Sequence, residues 1–139
     1  MDFFVETLQL SHRAVMEMLQ AGIAAAEASG QPQCIVIVDA SGELLGEIRM
    51  TGAKFLSRRS ALAKARTAAS TGGPSANIPE HVRTLIGMAT QGGVTGLPGG
   101  LPIKRDGRLV GGIGVGSGSG DQDIAVAQAM LSAISADLT

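Results

Sequence analysis

The sequence predicts an α+β fold, an antiparallel sheet with helices packed on it. Three observations carry this. Apolar residues recur at helical spacing near both ends of the chain. A continuous apolar run, Cys34-Ile35-Val36-Ile37-Val38, reads as a buried strand. Asp106-Gly107, set between two strand-like segments, is the strongest hairpin signal in the chain. Strands joined by a hairpin run antiparallel, and the helices outside them must bury an apolar stripe against the sheet.

The first element runs from about Ser11 to Ser29. Leu10, Ala14, Met18, Ala21 and Ala25 share one face, with Arg13, Glu17 and Gln20 elsewhere. Ser11 suits the cap, and Gly30 falls where a left-handed residue commonly ends a helix. Two strands follow, Cys34 to Val38 and Glu43 to Met50, joined by the turn Asp39-Ala40-Ser41-Gly42. Phe55 to Thr71 reads as a second helix, stopped by Gly72-Gly73-Pro74. A shorter helix is expected from Pro79, a favoured first helical residue, carrying Val82, Leu85, Ile86 and Ala89. Beyond the glycine-rich stretch 92–100, Leu101 to Lys104 pairs through the Asp106-Gly107 turn with Leu109 to Val115. The last helix begins after Gly120, where Ser119 and Gln122 have capping-box spacing. Its apolar face comprises Ile124, Ala127, Leu131, Ile134 and Leu138.

Composition narrows the function. The 139 residues suffice for one domain, taken as 1–139, with one real core. There are 20 glycines, no Trp, no Tyr and three Phe, so a core of Ala, Val, Ile, Leu and Met must let backbones approach closely. The net charge of −1 and the lack of aromatic platforms argue against nucleic-acid binding. The lone Cys34 rules out an intrachain disulfide and a Cys-based structural zinc site; its apolar neighbours mark it as a buried thiol. Neither a signal peptide nor an apolar stretch of ~20 residues is visible, so no membrane partner and a cytoplasmic location are expected.

Several segments are candidates for a site. The glycines at 111, 112 and 114 allow close helix packing; a dinucleotide fingerprint belongs early in a parallel βαβ unit, which this is not. An anion beside the glycine-rich turn 116–120 would meet Asp121 and Asp123. Leu97-Pro98-Gly99-Gly100-Leu101-Pro102 can present unshielded amides to a carboxylate or carbonyl oxygen, or serve as a plain turn; residues alone leave both open. Ser60, Lys64, Thr67 and Thr71 lie on one helical face, with Phe55, Leu62 and Ala69 opposite. That stripe is either a solvated face or an anion anchor, with Lys64 as acid/base if burial lowers its pKa. His12 and His81 each open a helix, as surface residues or as ligands to a metal or haem iron. No Asp/Glu/His cluster accompanies either, so no other metal site is expected.

Taken together, five ordered segments resemble the GlcG/HbpS-like family, which includes the C-terminal domain of PduO-type proteins. They are Val36-Ile37-Val38-Asp39-Ala40-Ser41-Gly42, Arg49-Met50-Thr51-Gly52-Ala53, Ala63-Lys64-Ala65-Arg66-Thr67-Ala68, Gly99-Gly100-Leu101-Pro102-Ile103 and Asp106 to Val115, followed by Gln122-Asp123. The resemblance implies a profilin-like or PAS-like antiparallel sheet flanked by helices, assembled into homo-oligomers. It implies a small-molecule ligand, with haem the named cofactor candidate and His12 its axial ligand. Ser60, Lys64, Thr67, Gly99 and Gly100, joined by Arg49, form the expected ligand-binding set, with a pocket between Lys64 and the glycine loop. Thr51, where relatives often carry an acid, and the Arg58-Arg59 pair depart from the pattern and bear on ligand choice.

Three functions are consistent with these residues. The first is a protein that binds a small molecule, haem or another tetrapyrrole. The second is a small cofactor-independent enzyme, an isomerase, lyase or hydrolase acting on a small carbonyl or carboxylate compound. There Lys64 is acid/base or anion anchor and the Gly99-Gly100 amides hold an oxyanion. The third is an accessory subunit without a ligand of its own.

Overall fold

Capping and hairpin chemistry place the elements in the expected order. In a computed structural model describing residues 2–139, these are α1 (His12–Ser29), β1 (Cys34–Asp39), β2 (Leu44–Arg49), α2 (Ser57–Thr71), α3 (Arg83–Ala89), β3 (Gly100–Arg105), β4 (Arg108–Gly116) and α4 (Gly120–Ala133). The strands form one sheet in the order β2-β1-β4-β3, antiparallel throughout, in a single α+β domain. Ser11 accepts a hydrogen bond from the Ala14 N–H at 3.2 Å, and Gly30 ends α1 in the left-handed region. Ser119 and Gln122 complete both halves of a capping box at the start of α4. Asp106 and Gly107 both take positive φ, +50° and +78°, the geometry of a two-residue hairpin turn.

Three boundaries differ from expectation. α2 begins at Ser57, because neither Phe55 nor Leu56 supplies a side-chain cap, and Phe55 stays exposed in the preceding turn. The segment after Pro79 starts as a 3-10 turn, Glu80–Val82, and becomes α3 only at Arg83. No residue of α3 is buried, so packing does little to lengthen it. α4 stops at Ala133; Ser135 takes positive φ there, which leaves Leu138 exposed rather than on the helix face.

The sheet separates two apolar layers. On one face, Ile35, Ile37, Ile103, Ile113 and Val115 pack against Met18 of α1 and Val126, Met130 and Leu131 of α4. On the other, Cys34, Val36 and Val38 meet Ala61, Ala65 and Ala69 of α2. β4 turns a stripe of glycines to α2. A Cβ at Gly116 would lie 3.2 Å from the Ser57 carbonyl oxygen, one at Gly114 would fall onto the Ala61 oxygen, and one at Gly112 onto the Ala65 oxygen. The two repeats match in length. Four helical residues rise about 6 Å and two strand residues about 6.8 Å, so a period-four helix ridge stays seated along a period-two glycine stripe.

Candidate functional site

This close seating carries Lys64 into the protein. Lys64 is 5% exposed. Its Nζ donates to the Val115 carbonyl at 2.7 Å and to Asp123 Oδ2 at 3.0 Å. Asp123, in the first turn of α4, is 2% exposed, and its Oδ1 accepts the Gly118 N–H at 3.1 Å. Lys64 comes from the helix on one face of the sheet and Asp123 from the helix on the other. Their ion pair therefore ties the two layers together where β4 ends.

The glycine loop makes room for that pair. A Cβ at Gly99 would sit 3.2 Å from Lys64 Nζ, 2.8 Å from the Asp123 Cβ and 2.6 Å from the Val115 oxygen. Gly99 also has φ +117°, which a side chain would disfavour. The Gly99 carbonyl accepts the Val115 N–H at 3.0 Å. The Gly100 N–H goes to Ser75 Oγ at 2.9 Å, and that hydroxyl donates to the Leu97 carbonyl at 2.6 Å. Lys64 and the loop thus meet in direct contact, not across an open pocket, and the Gly100 amide already has an acceptor.

The middle of the polar stripe on α2 is turned into the protein, and only Thr71 at its end is exposed. Thr67 is fully buried, donates to the Ala63 carbonyl at 2.7 Å and accepts the Thr95 N–H at 3.0 Å. Ser60, half-buried, donates to the Ser57 carbonyl, and Thr71 donates to that of Thr67. Thr67 therefore anchors the loop that leads to Gly99.

Two other candidates lie in separate depressions. Arg49, on β2, borders one of about 520 Å³ floored by Ile23, Ile48 and Met50. His12 is exposed in the first turn of α1, on the rim of one of about 490 Å³ lined by Leu10, Val15 and Leu45. His81 is exposed in the 3-10 turn before α3. Among the described residues no group of three or more His, Cys, Asp or Glu could hold a metal ion, and no helix is long and apolar enough to cross a membrane. Burial pushes the Cys34 thiol above its ordinary value, against a hydrogen bond with Ser117 and the positive charge of Arg49 and Arg58. The Cys34 side chain packs in the apolar layer against α2.

Sequence reasoning missed the partner of Lys64. Asp123 registered as negative charge at a helix start and as part of a family-like segment, never as an ion-pair partner, and 59 residues separate the two. The available signal was the glycine-rich approach to α4, which lets a first-turn carboxylate turn inward. Gln33 was missed as well. Its side-chain oxygen and nitrogen are buried without a hydrogen-bond partner, close to the Gly118 backbone. An unsatisfied buried amide costs about 1–3 kcal/mol. Gln33→Met, which keeps the volume and removes the polar atoms, should therefore raise stability by about 1 kcal/mol, roughly 3–5 °C in melting temperature. Thermal unfolding followed by circular dichroism measures it; an unchanged or lower midpoint would mean that the amide is satisfied after all.

The comparisons with known proteins bear on this geometry. Residues 10–132 match the model of a family described as haem degrading protein HbpS-like. The chain is 32% identical over 133 residues to the corrinoid adenosyltransferase PduO of Citrobacter freundii, covering 92% of this chain and 40% of that protein. It thus spans about two-fifths of the curated relative's length. Among solved structures, the PduOC:heme complex superposes with a TM-score of 0.87 at 29% identity, over 94% of this chain and 99% of that one. Klebsiella pneumoniae protein ORFY superposes with a TM-score of 0.92 at 25% identity, over 97% of each chain.

Proposed function

The chain belongs to the HbpS-like family, and from that premise we propose that it binds haem or another tetrapyrrole, with His12 as the axial ligand. The observation that carries this reading is the exposed His12 imidazole beside a depression of about 490 Å³ with Leu10, Val15 and Leu45 in its wall. A porphyrin needs an apolar surface for its ring and one nitrogen donor for its iron, and this rim offers both. The donor set fits, and the residues lining the depression include no aromatic side chain to stack on the ring. Bound there, haem would supply the iron chemistry; the chain's own part is to ligate it through His12 and to keep water from one ring face. Arg49, in a separate depression towards the other end of β2, takes no part in this site.

In this reading Lys64, Thr67, Gly99 and Gly100 frame the fold, and Ser60 bonds back to the Ser57 carbonyl of the same helix. The enzyme alternative draws less support. Lys64 is already held by Asp123 and Val115, and the Gly100 amide by Ser75. We place the protein in the cytoplasm as a homo-oligomer.

Hemin titration tests the proposal. The wild-type protein should show a saturable shift of the Soret band, and His12→Ala should weaken binding by about tenfold or more, ~1.4 kcal/mol. Absence of a saturable shift in the wild type removes haem as the ligand. Equal binding by the variant removes His12 from the site.

A further inference from the structure

The two edges of the sheet are treated differently. At the β3 edge, Pro102 has no N–H to offer, and the Asp137 N–H donates to the Lys104 carbonyl at 2.9 Å. Asp137 also accepts the Asp106 and Gly107 N–H groups through its carboxylate, which fixes the covering segment. These are the ordinary devices that stop a sheet from growing. The β2 edge has neither a proline nor a covering segment, and its protection is limited to a bulge opposite Ile37 and Val38 and the charges of Glu47 and Arg49. It pairs only with β1, and Leu44, Leu45 and Ile48 are exposed along it.

The direction of its free backbone groups follows from the ladder. The Met50 N–H donates to the Gln33 carbonyl, in register with Ile35 opposite Ile48 and Ile37 opposite Gly46. Antiparallel pairing alternates, so the groups of Ile48 and Gly46 face β1 and those of Glu47 and Arg49 face outward.

We propose that β2 pairs antiparallel with β2 of a second copy about a two-fold axis at Ile48, making one eight-stranded sheet. This deepens the homo-oligomer reading above, on which it rests. A ladder that uses the outward groups of Glu47 and Arg49 sets Glu47 directly opposite the second copy's arginine at 49, and Arg49 opposite its glutamate at 47. Opposite charges then face each other twice, on the same side of the sheet, and the exposed Ile48 side chains meet at the axis on the other. The outward groups equally allow axes at Glu47 or at Arg49, which would set like charges directly opposite each other. Backbone direction limits the axis to such positions, and side-chain charge selects the one at Ile48 among them. Glu47 reaches Arg58 of its own chain through Oε1, which holds its carboxylate at the edge.

Analytical ultracentrifugation of the full chain without haem tests the surface. The wild type should sediment as a dimer or a multiple of it. Glu47→Arg and Arg49→Glu should each halve the mass, by setting like charges opposite, and the double variant should restore it. Independently, residues at 48 would form a non-hydrogen-bonded pair with Cα atoms about 4.5 Å apart, within the roughly 4.4–6.8 Å that a disulfide spans. Ile48→Cys in a Cys34→Ala background should therefore cross-link on mild oxidation, whereas Arg105→Cys on the covered edge should not. A monomeric wild type overturns both the assembly and this surface. An assembly whose mass ignores the charge reversals, and whose Ile48→Cys variant stays uncross-linked, overturns the surface alone.

Discussion

Gly114→Ala is expected to leave little folded protein, the largest effect of any single methyl added to this chain. A Cβ at Gly114 would fall onto the Ala61 carbonyl oxygen and come within 2.7 Å of the Ala65 nitrogen, both of them helix backbone. A flexible side chain could swing aside; a helix held at Ser57, Ala61 and Ala65 over successive glycines cannot. To admit the methyl, α2 must lift off β4, and the contacts of Cys34, Val36 and Val38 with Ala61, Ala65 and Ala69 go with it. Overpacking in a yielding core costs about 1–3 kcal/mol. Here the obstacle is rigid, so the cost should exceed that range and consume much of the ~5–15 kcal/mol that a domain possesses. Gly30→Ala is the proper contrast. Gly30 has φ +72° but nothing within 4 Å of an added Cβ, so its substitution should cost only about 1 kcal/mol. Soluble yield and melting temperature separate the two. If Gly114→Ala melts within a few degrees of Gly30→Ala, the close seating of α2 is not what holds this layer.

Asp123→Ala should destabilise nearly as strongly, for a different reason. It removes no packing of consequence but leaves the Lys64 ammonium buried with only the Val115 carbonyl for company. Breaking one side of a buried ion pair typically costs about 3–5 kcal/mol, because the remaining charge is neither solvated nor paired. The pair itself contributes little net stability, since both ions lose their water. Lys64→Met with Asp123→Leu should therefore regain most of what Asp123→Ala loses. Denaturant unfolding of Lys64→Met, Asp123→Leu and the double variant gives the coupling directly. A double variant as unstable as Asp123→Ala would show that the site depends on the hydrogen bonds to Val115 and Gly118, not on the charges.

Local features of the sequence could be read accurately. Ser11, Gly30, Ser119 with Gln122, and Asp106-Gly107 each act through neighbours within a few residues, so their chemistry shows without knowledge of the rest of the chain. The boundaries that shifted, at Phe55, Pro79 and Leu138, are places where no cap or no packing supports the apolar pattern. At the candidate site less could be read. Lys64 and the Gly99-Gly100 loop were each identifiable, and the structure brings them into contact. The reason for the contact is Asp123, which lies 59 residues further on and on the opposite side of the sheet.

By itself the sequence determined the α+β class, the antiparallel hairpin, the helix caps and the need for close backbone packing. Those depend on periodicity, turn geometry and the scarcity of large side chains. Only the tertiary structure decided which helix seats on the glycines, that Lys64 faces inward to Asp123, and that β2 is left as an open edge. Such outcomes depend on which distant segments become neighbours. A lysine on a helix looks the same in sequence whether it faces solvent or a buried carboxylate. The loop 97–102 shows the difference most plainly: its glycines could be read as bare amides awaiting a ligand, yet two of them are small because Lys64, Asp123 and Ser75 already occupy the space.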